Sequence, residues 1–133
     1  MALSINGNGT LSGENVTNSL NLQVDGQGFS PTLTLTDAAT INWDTNSGQV
    51  AVVTLAGNRT VAAPTNLQNG AFYSIQVIQD GTGSRTMVFG GAYKFPAGTV
   101  PVLSTSTSAV DILVYNVRDT SAVDSVVIKS FGR

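Results

Sequence analysis

Apolar and polar residues alternate along much of the chain with a period of two, which places successive side chains on opposite faces of a β-strand. The predicted strands are Ser19 to Val24, Thr32 to Thr36, Thr40 to Trp43, Val50 to Leu55, Phe72 to Gln79, Thr86 to Phe89, Val110 to Val117 and Ser125 to Phe131. The run from Val50 to Leu55 is more continuously apolar, which predicts burial on both of its faces. No long window has the i, i+3, i+4, i+7 spacing of an amphipathic helix. The pattern predicts an all-β protein.

Turn-forming segments rich in Gly and Asn separate these strands. They are Asn46-Ser47-Gly48, Ala56-Gly57-Asn58, Gln68-Asn69-Gly70, Asp80-Gly81-Thr82-Gly83-Ser84, Gly90-Gly91 and Phe95-Pro96-Ala97-Gly98. Short strands at this spacing are typical of a β-sandwich, a jelly roll or a small barrel. No internal repeat stands out.

The composition changes near residue 38. Residues 1–38 are rich in Asn, Gly, Ser and Thr, and they predict an extended N-terminal arm with short strands. Residues 39–133 predict one compact all-β domain. Leu3, Ile5 and Leu11 are isolated apolar residues with no local core to enter, so we expect the arm to attach to or exchange with a partner.

Charged residues are scarce, at 11% of the chain against about 25% in an average soluble domain. Glu14 is the only glutamate, and Lys94 and Lys129 are the only lysines. Sheet surfaces with so little charge associate readily unless their edges are occupied, so we expect an oligomer or a larger assembly. The net charge of −2 offers no attraction to nucleic acid or to an anionic membrane.

No apolar run approaches the roughly 18–20 residues that span a bilayer. The start, Met1 to Gly7, lacks the basic and apolar regions of a signal peptide. We therefore expect synthesis in the cytoplasm of the producing cell and no membrane partner.

Two loops resemble ligand-binding motifs. The segment Asp80 to Thr86 has the glycines of a phosphate loop, but a strand pattern follows it where a phosphate loop needs a helix, so it predicts a hairpin turn with Gly81 and Gly83 at positive φ. The segment Asp44 to Gly48 resembles the start of a calcium loop, but it lacks the distal glutamate and predicts a turn.

The remaining candidates have structural interpretations beside the chemical ones. Asp111 lies in an apolar strand, either facing solvent by alternation or buried with a partner. Nucleophilic serine or threonine needs a base, and the chain has no histidine or cysteine. The aromatic residues Trp43, Tyr73, Tyr93 and Tyr115 form either a sugar-stacking platform or part of a core. We expect no enzyme activity and predict no catalytic, cofactor-binding or metal-binding residue.

From Thr40 onward the chain resembles a module of bacteriophage virion proteins, of the head-decoration and tail-fibre type. The residues that carry the resemblance are Ile41-Asn42-Trp43-Asp44, Val53-Thr54-Leu55-Ala56-Gly57-Asn58-Arg59-Thr60, Pro64-Thr65-Asn66-Leu67, Gly70, Gln79-Asp80-Gly81-Thr82-Gly83-Ser84-Arg85-Thr86, Ala92-Tyr93-Lys94-Phe95-Pro96 and Val110-Asp111-Ile112-Leu113. The opening Leu3 to Gly13 is similar to the N-termini of phage fibre-type proteins.

This resemblance implies a β-rich protein that assembles on the particle surface, usually as a homotrimer. Because the module fills nearly all of the 133 residues, we expect a capsid decoration (cement) protein that binds the major capsid protein or another virion protein and stabilises the head. The alternative is a tail-fibre or receptor-binding tip domain that recognises a host-surface glycan.

Overall fold

The described part of the chain is built almost entirely from β-strands. A computed structural model describes residues 28–131, so the predicted strand Ser19 to Val24 and most of the predicted arm lie outside the described residues. The strands are β1 (Thr32–Thr34), β2 (Thr40–Ile41), β3 (Val50–Leu55), β4 (Arg59–Val61), β5 (Phe72–Gln79), β6 (Met87–Phe89), β7 (Tyr93–Lys94), β8 (Val110–Asp119) and β9 (Ala122–Phe131). Short 3₁₀ helices span Thr45–Ser47 and Pro96–Gly98.

The first six strands form a parallel coil that alternates between two sheets. Strands β1, β3 and β5 are parallel neighbours in a six-stranded sheet, and β2, β4 and β6 are parallel neighbours in a three-stranded sheet. Each successive pair of strands therefore makes one turn of the coil. The inward positions of successive turns are in register, with Leu33 beside Ala51 and Ile75 in one sheet, and Ile41 beside Val61 and Phe89 in the other.

The last two strands close the coil as an antiparallel hairpin. Strand β8 pairs with β5 and with β9, and β7 pairs parallel with β9, which gives the strand order β1-β3-β5-β8-β9-β7. The hairpin turn follows Asp119, whose Oδ1 accepts hydrogen bonds from the backbone N–H and the hydroxyl of Ser121 at 2.8 and 2.6 Å. This side chain stabilises the turn through its own backbone, as aspartate does in many turns.

The two sheets share one hydrophobic core. A row of inward side chains crosses the six-stranded sheet through Leu33, Ala51, Ile75, Leu113 and Val127. Ile75 and Ala51 are fully buried at its centre, and Ile41 and Val61 of the other sheet belong to the same cluster. Because alternate residues of each strand enter this core, the period of two in the sequence reports burial directly.

The all-β class expected from the sequence is confirmed. Of the sandwich, jelly roll and small barrel that the sequence left open, the sandwich is nearest to two sheets around one core, although strands β1 to β6 pair in parallel. The predicted strands Val50 to Leu55 and Phe72 to Gln79 match the observed strands residue for residue. The predicted burial of both faces of Val50 to Leu55 is wrong, because Ala51, Val53 and Leu55 are buried while Thr54 is exposed. Strands β4 and β7 were not predicted, because these short strands lie close to the predicted turns Ala56-Gly57-Asn58 and Gly90-Gly91.

The hairpin predicted at Asp80 to Thr86 is also wrong. The strands on either side, β5 and β6, belong to different sheets, so this loop carries the chain from one sheet to the other. Gly83 has the expected positive φ, at 72°, whereas Gly81 does not. Glycines indicate that the chain changes direction, but the pairing of the next strand is determined by packing in the core and not by the turn.

The predicted boundary near residue 38 stays a prediction, since residues 1–27 lie outside the described part of the chain. Strand β1, which falls within the predicted arm, pairs with β3. Asp37 is also attached to the coil, because its carboxylate accepts two hydrogen bonds from Arg59 at 2.6 and 2.7 Å.

We predict that Ile75→Ala lowers the free energy of unfolding by about 2–5 kcal/mol, because it removes a fully buried side chain from the middle of the inward row. Thr40→Ala is the control, since Thr40 is exposed on β2 and its loss is expected to change stability by less than about 0.5 kcal/mol. Denaturant unfolding of both variants measures the difference. Equal unfolding midpoints would contradict the register of the core.

Candidate functional site

The four aromatic residues proposed for a sugar platform are buried. Trp43, Tyr73, Tyr93 and Tyr115 are between 1% and 6% exposed, and the Tyr115 ring lies 5.5–5.8 Å from each of the other three. Burial raises the pKa of Tyr93 and Tyr115 well above the usual range of tyrosine. The interpretation as core is confirmed, and these rings are inaccessible to a ligand.

The loop from Asp80 to Thr86 is closed by its own side chains. The Asp80 carboxylate accepts hydrogen bonds from the backbone N–H groups of Thr82 and Gly83, both at 2.9 Å, and pairs with Arg85 at 2.7 Å. A phosphate loop binds its ligand through such backbone N–H groups, and here they are already occupied. The buried side chain of Gln79 holds the backbone of Arg85 through two further hydrogen bonds of 2.8 and 2.9 Å.

The hydrogen bond from Arg85 lowers the pKa of Asp80 from 3.8 to about 2. A carboxyl group whose pKa is lowered by folding stabilises the folded state above its unfolded pKa, and that stabilisation is lost as the pH falls toward the folded value. The loop is therefore expected to weaken between about pH 4 and pH 2. This behaviour is that of a structural ion pair.

Asp44 caps the 3₁₀ helix Thr45–Ser47. Its Oδ1 accepts hydrogen bonds from the backbone N–H of Asn46 at 3.0 Å and from the side-chain amide of Asn66 at 2.8 Å, which lowers the pKa of this carboxyl. The interpretation as a turn therefore holds for this segment. Within residues 28–131, no group of three or more acidic side chains is placed to hold a metal ion.

Asp111 is a buried, paired carboxylate, which decides between the two alternatives left open by the sequence. It is 2% exposed, and it accepts hydrogen bonds from the backbone N–H and hydroxyl of Ser104 at 2.6 and 2.7 Å and from the backbone N–H of Ser130 at 2.9 Å. The Ser104 and Ser130 hydroxyls are 2.9 Å apart. We call these three residues the Asp111 cluster.

A β-bulge creates this cluster. Val110 is paired with Phe131 and Ile112 with Ile128, so two residues, Lys129 and Ser130, lie opposite Asp111. Ser130 takes a positive φ of 62°, which turns its backbone N–H toward the carboxylate. The cluster joins the connection between β7 and β8 to the end of β9. Sequence reasoning identified Asp111 but not its partners, because serines at positions 104 and 130 do not stand out in a serine-rich chain.

The outward side of the six-stranded sheet is the largest feature that the sequence did not indicate. Its alternate positions carry apolar side chains on three strands, namely Val50, Val52, Ile112, Val114, Val126 and Ile128. We call these six residues the outer face. Val126 and Ile128 are 47% and 49% exposed, and the other four are partly exposed. Apolar residues grouped in this way mark an interaction surface more often than single exposed ones do.

A comparison with protein families adds to this geometry. The model of a family described as "Putative phage tail fibre C-terminal domain" matches residues 7–119. The chain belongs to this family. The match covers the whole coil and ends with β8. Neither the curated proteins nor the solved structures include a significant match.

Membership of the phage tail fibre C-terminal domain family confirms that the chain is a structural protein of a bacteriophage particle. It gives no support to the capsid-decoration interpretation, and it favours the tail-fibre alternative. In the part of the domain that the structure describes, neither helix is long and apolar enough to cross a membrane.

We predict that Asp111→Ala lowers the free energy of unfolding by about 3 kcal/mol or more, because it leaves buried donors of the Asp111 cluster without an acceptor. Asp119→Ala is the matched control, since its carboxylate also accepts from a serine but at an exposed turn. Its expected cost is about 1 kcal/mol. Urea titrations give both values, and a smaller loss for Asp111→Ala than for Asp119→Ala would refute this role.

We also predict that Gly83→Ala lowers the melting temperature while Gly81→Ala leaves it nearly unchanged. A Cβ at Gly83 would lie 2.6 Å from the carbonyl oxygen of Thr105, and a positive φ costs a non-glycine residue about 1–2 kcal/mol. A Cβ at Gly81 meets nothing within 4 Å. Arg85→Ala removes a partly exposed ion pair worth at most about 1 kcal/mol. Thermal melts test this order, and an equal effect at both glycines would overturn it.

Proposed function

We propose that this domain is a non-enzymatic structural component of the phage tail fibre, and that it assembles as a homotrimer which contacts the host surface. The family match over residues 7–119 carries the proposal. This proposal replaces the capsid-decoration hypothesis, which was based on the short length of the chain.

The fold supports a mechanical role. Every turn of the coil is hydrogen-bonded to the next through parallel strands, and the antiparallel hairpin β8–β9 closes the six-stranded sheet beside β5. Ion pairs reinforce the connections: Asp37 with Arg59 between turns, Asp80 with Arg85 within a loop and Arg118 with Asp124 across the hairpin. A domain whose described strands are all joined in this way resists local opening, which suits a part that bears load during adsorption.

Recognition of a host-surface glycan belongs to the same proposal. Since the four buried aromatic rings are inaccessible, contacts to a sugar fall to exposed groups. A shallow depression of about 340 Å³ between β7, β8 and β9, at the rim of the outer face, is lined by Lys94, Phe95, Pro96, Arg118 and Asp124, among others. Its charged groups offer hydrogen bonds to hydroxyls, and the Phe95 ring offers an apolar surface.

The position of the protein on the particle tests the proposal. Antibodies against the purified domain are expected to label the tail of intact particles in electron micrographs and to block adsorption to host cells. The purified domain is expected to compete with particles for adsorption. Labelling spread over the head, at hundreds of copies per particle, would restore the decoration hypothesis. As a control, antibodies against the major capsid protein should label the head and leave adsorption unchanged.

A further inference from the structure

We propose that copies of this chain associate through the outer face, Val50, Val52, Ile112, Val114, Val126 and Ile128. The inference rests on the homotrimer of the proposed function and adds to it the surface by which the trimer forms. The partner is a second and a third copy of the chain, each using the same sheet.

The composition of the outer face is that of a contact surface. The register aligns two rows across the sheet, Thr32, Val50, Ser74, Val114 and Val126 in one and Thr34, Val52, Gln76, Ile112 and Ile128 in the other. A sheet face that meets water usually carries polar and charged side chains, but neither row contains a charge and six of the ten residues are Val or Ile. The outward row of the three-stranded sheet, by comparison, consists of two threonines and Val88.

The size of the face is sufficient for a stable contact. A third outward row, Phe72, Asn116 and Asp124, lies beside these two and forms their rim. Five strands about 4.8 Å apart and three outward rows about 6.7 Å apart give a sheet face of roughly 24 by 20 Å. Two such faces in contact cover about 1,000 Å², the lower limit for a specific protein interface. In a ring of three copies each face is divided between two neighbours, and the three faces together cover about 1,400 Å².

The absence of charge selects the partner. A charged surface placed on Val126 and Ile128 would lose its water without gaining an opposite charge, which is costly. Another copy of the outer face carries no such cost. Three charged residues, Lys94, Arg118 and Asp124, lie together at one end of the sheet, where they border the depression, and Lys129 follows Ile128 toward the other end of β9. Charges confined to the rim are typical of protein interfaces.

We place the six-stranded sheets of three copies as the sides of a triangular prism, with their outer faces toward the three-fold axis. This arrangement explains why a polar residue lies in the middle of the sheet. For sheets about 24 Å wide, each side lies about 7 Å from the three-fold axis, about 2 Å more than half of the roughly 10 Å that separates packed sheets. The middle of the five strands is β5, so its exposed residue Gln76 points toward that axis. Three copies of Gln76 can then donate and accept hydrogen bonds among themselves.

Substitution by lysine tests the proposal on the full chain. Sedimentation of the parent protein at tens of micromolar is expected to give the mass of three chains. Val126→Lys or Ile128→Lys places a charge in the contact and is expected to raise the dissociation constant about a hundredfold or more. Val88→Lys is the matched control, because Val88 is a 61% exposed strand residue of the other sheet and its charge should leave the trimer intact.

Cross-linking provides a second measurement that does not depend on how well the lysine variants fold. The chain has no cysteine, so Val126→Cys introduces a single thiol. A bifunctional maleimide that spans about 20 Å, the separation of the three copies of residue 126 in the prism, is expected to join Val126→Cys chains into dimers and to leave Val88→Cys chains single. The reverse result, or trimers that persist in Val126→Lys, would overturn the outer face while leaving the homotrimer standing. A monomeric parent protein would refute the homotrimer itself.

Discussion

Parallel pairing between successive turns requires each turn to place an apolar side chain at the same inward position. Leu33, Ala51 and Ile75 meet this condition in the six-stranded sheet, and Leu113 of the hairpin continues it. A slip of one residue in any strand would turn its whole apolar set outward. The aromatic contacts of Tyr115 on β8 with Trp43 and Tyr73 join the hairpin to this stack. Everything else in the domain depends on that register.

Most of the few charged side chains in the described residues contact other groups of the same domain. Asp37, Asp80 and Asp124 each form an ion pair with an arginine, and Asp111 is enclosed by serines. Asp44 and Asp119 cap turns. Acidic side chains therefore accept hydrogen bonds from backbone N–H groups at several chain reversals. Neutral polar residues and the outer face make up much of the remaining surface.

Strand positions could be predicted from the sequence, but strand partners could not. The period of two located Phe72–Gln79 to the residue, because one of its faces enters the core. The connection through Asp80 to Thr86 was assigned to a hairpin because local turn chemistry does not report which sheet receives the next strand. The outer face was missed since Val50, Val52 and the buried residues between them form one apolar run, in which inward and outward positions look alike. Ser104 and Ser130 carry no signal that separates them from other serines.

The turns of the coil differ in length, and this difference has an evolutionary consequence. Paired residues of successive turns are 18 residues apart from Leu33 to Ala51, but 28 residues apart from Val61 to Phe89. The extra residues lie in loops between the sheets, where added length costs little because loop closure depends only weakly on it. Insertions there can change the exposed loops without disturbing the stacked strands. The same scaffold can therefore accept loops of different length and sequence while its core stays the same.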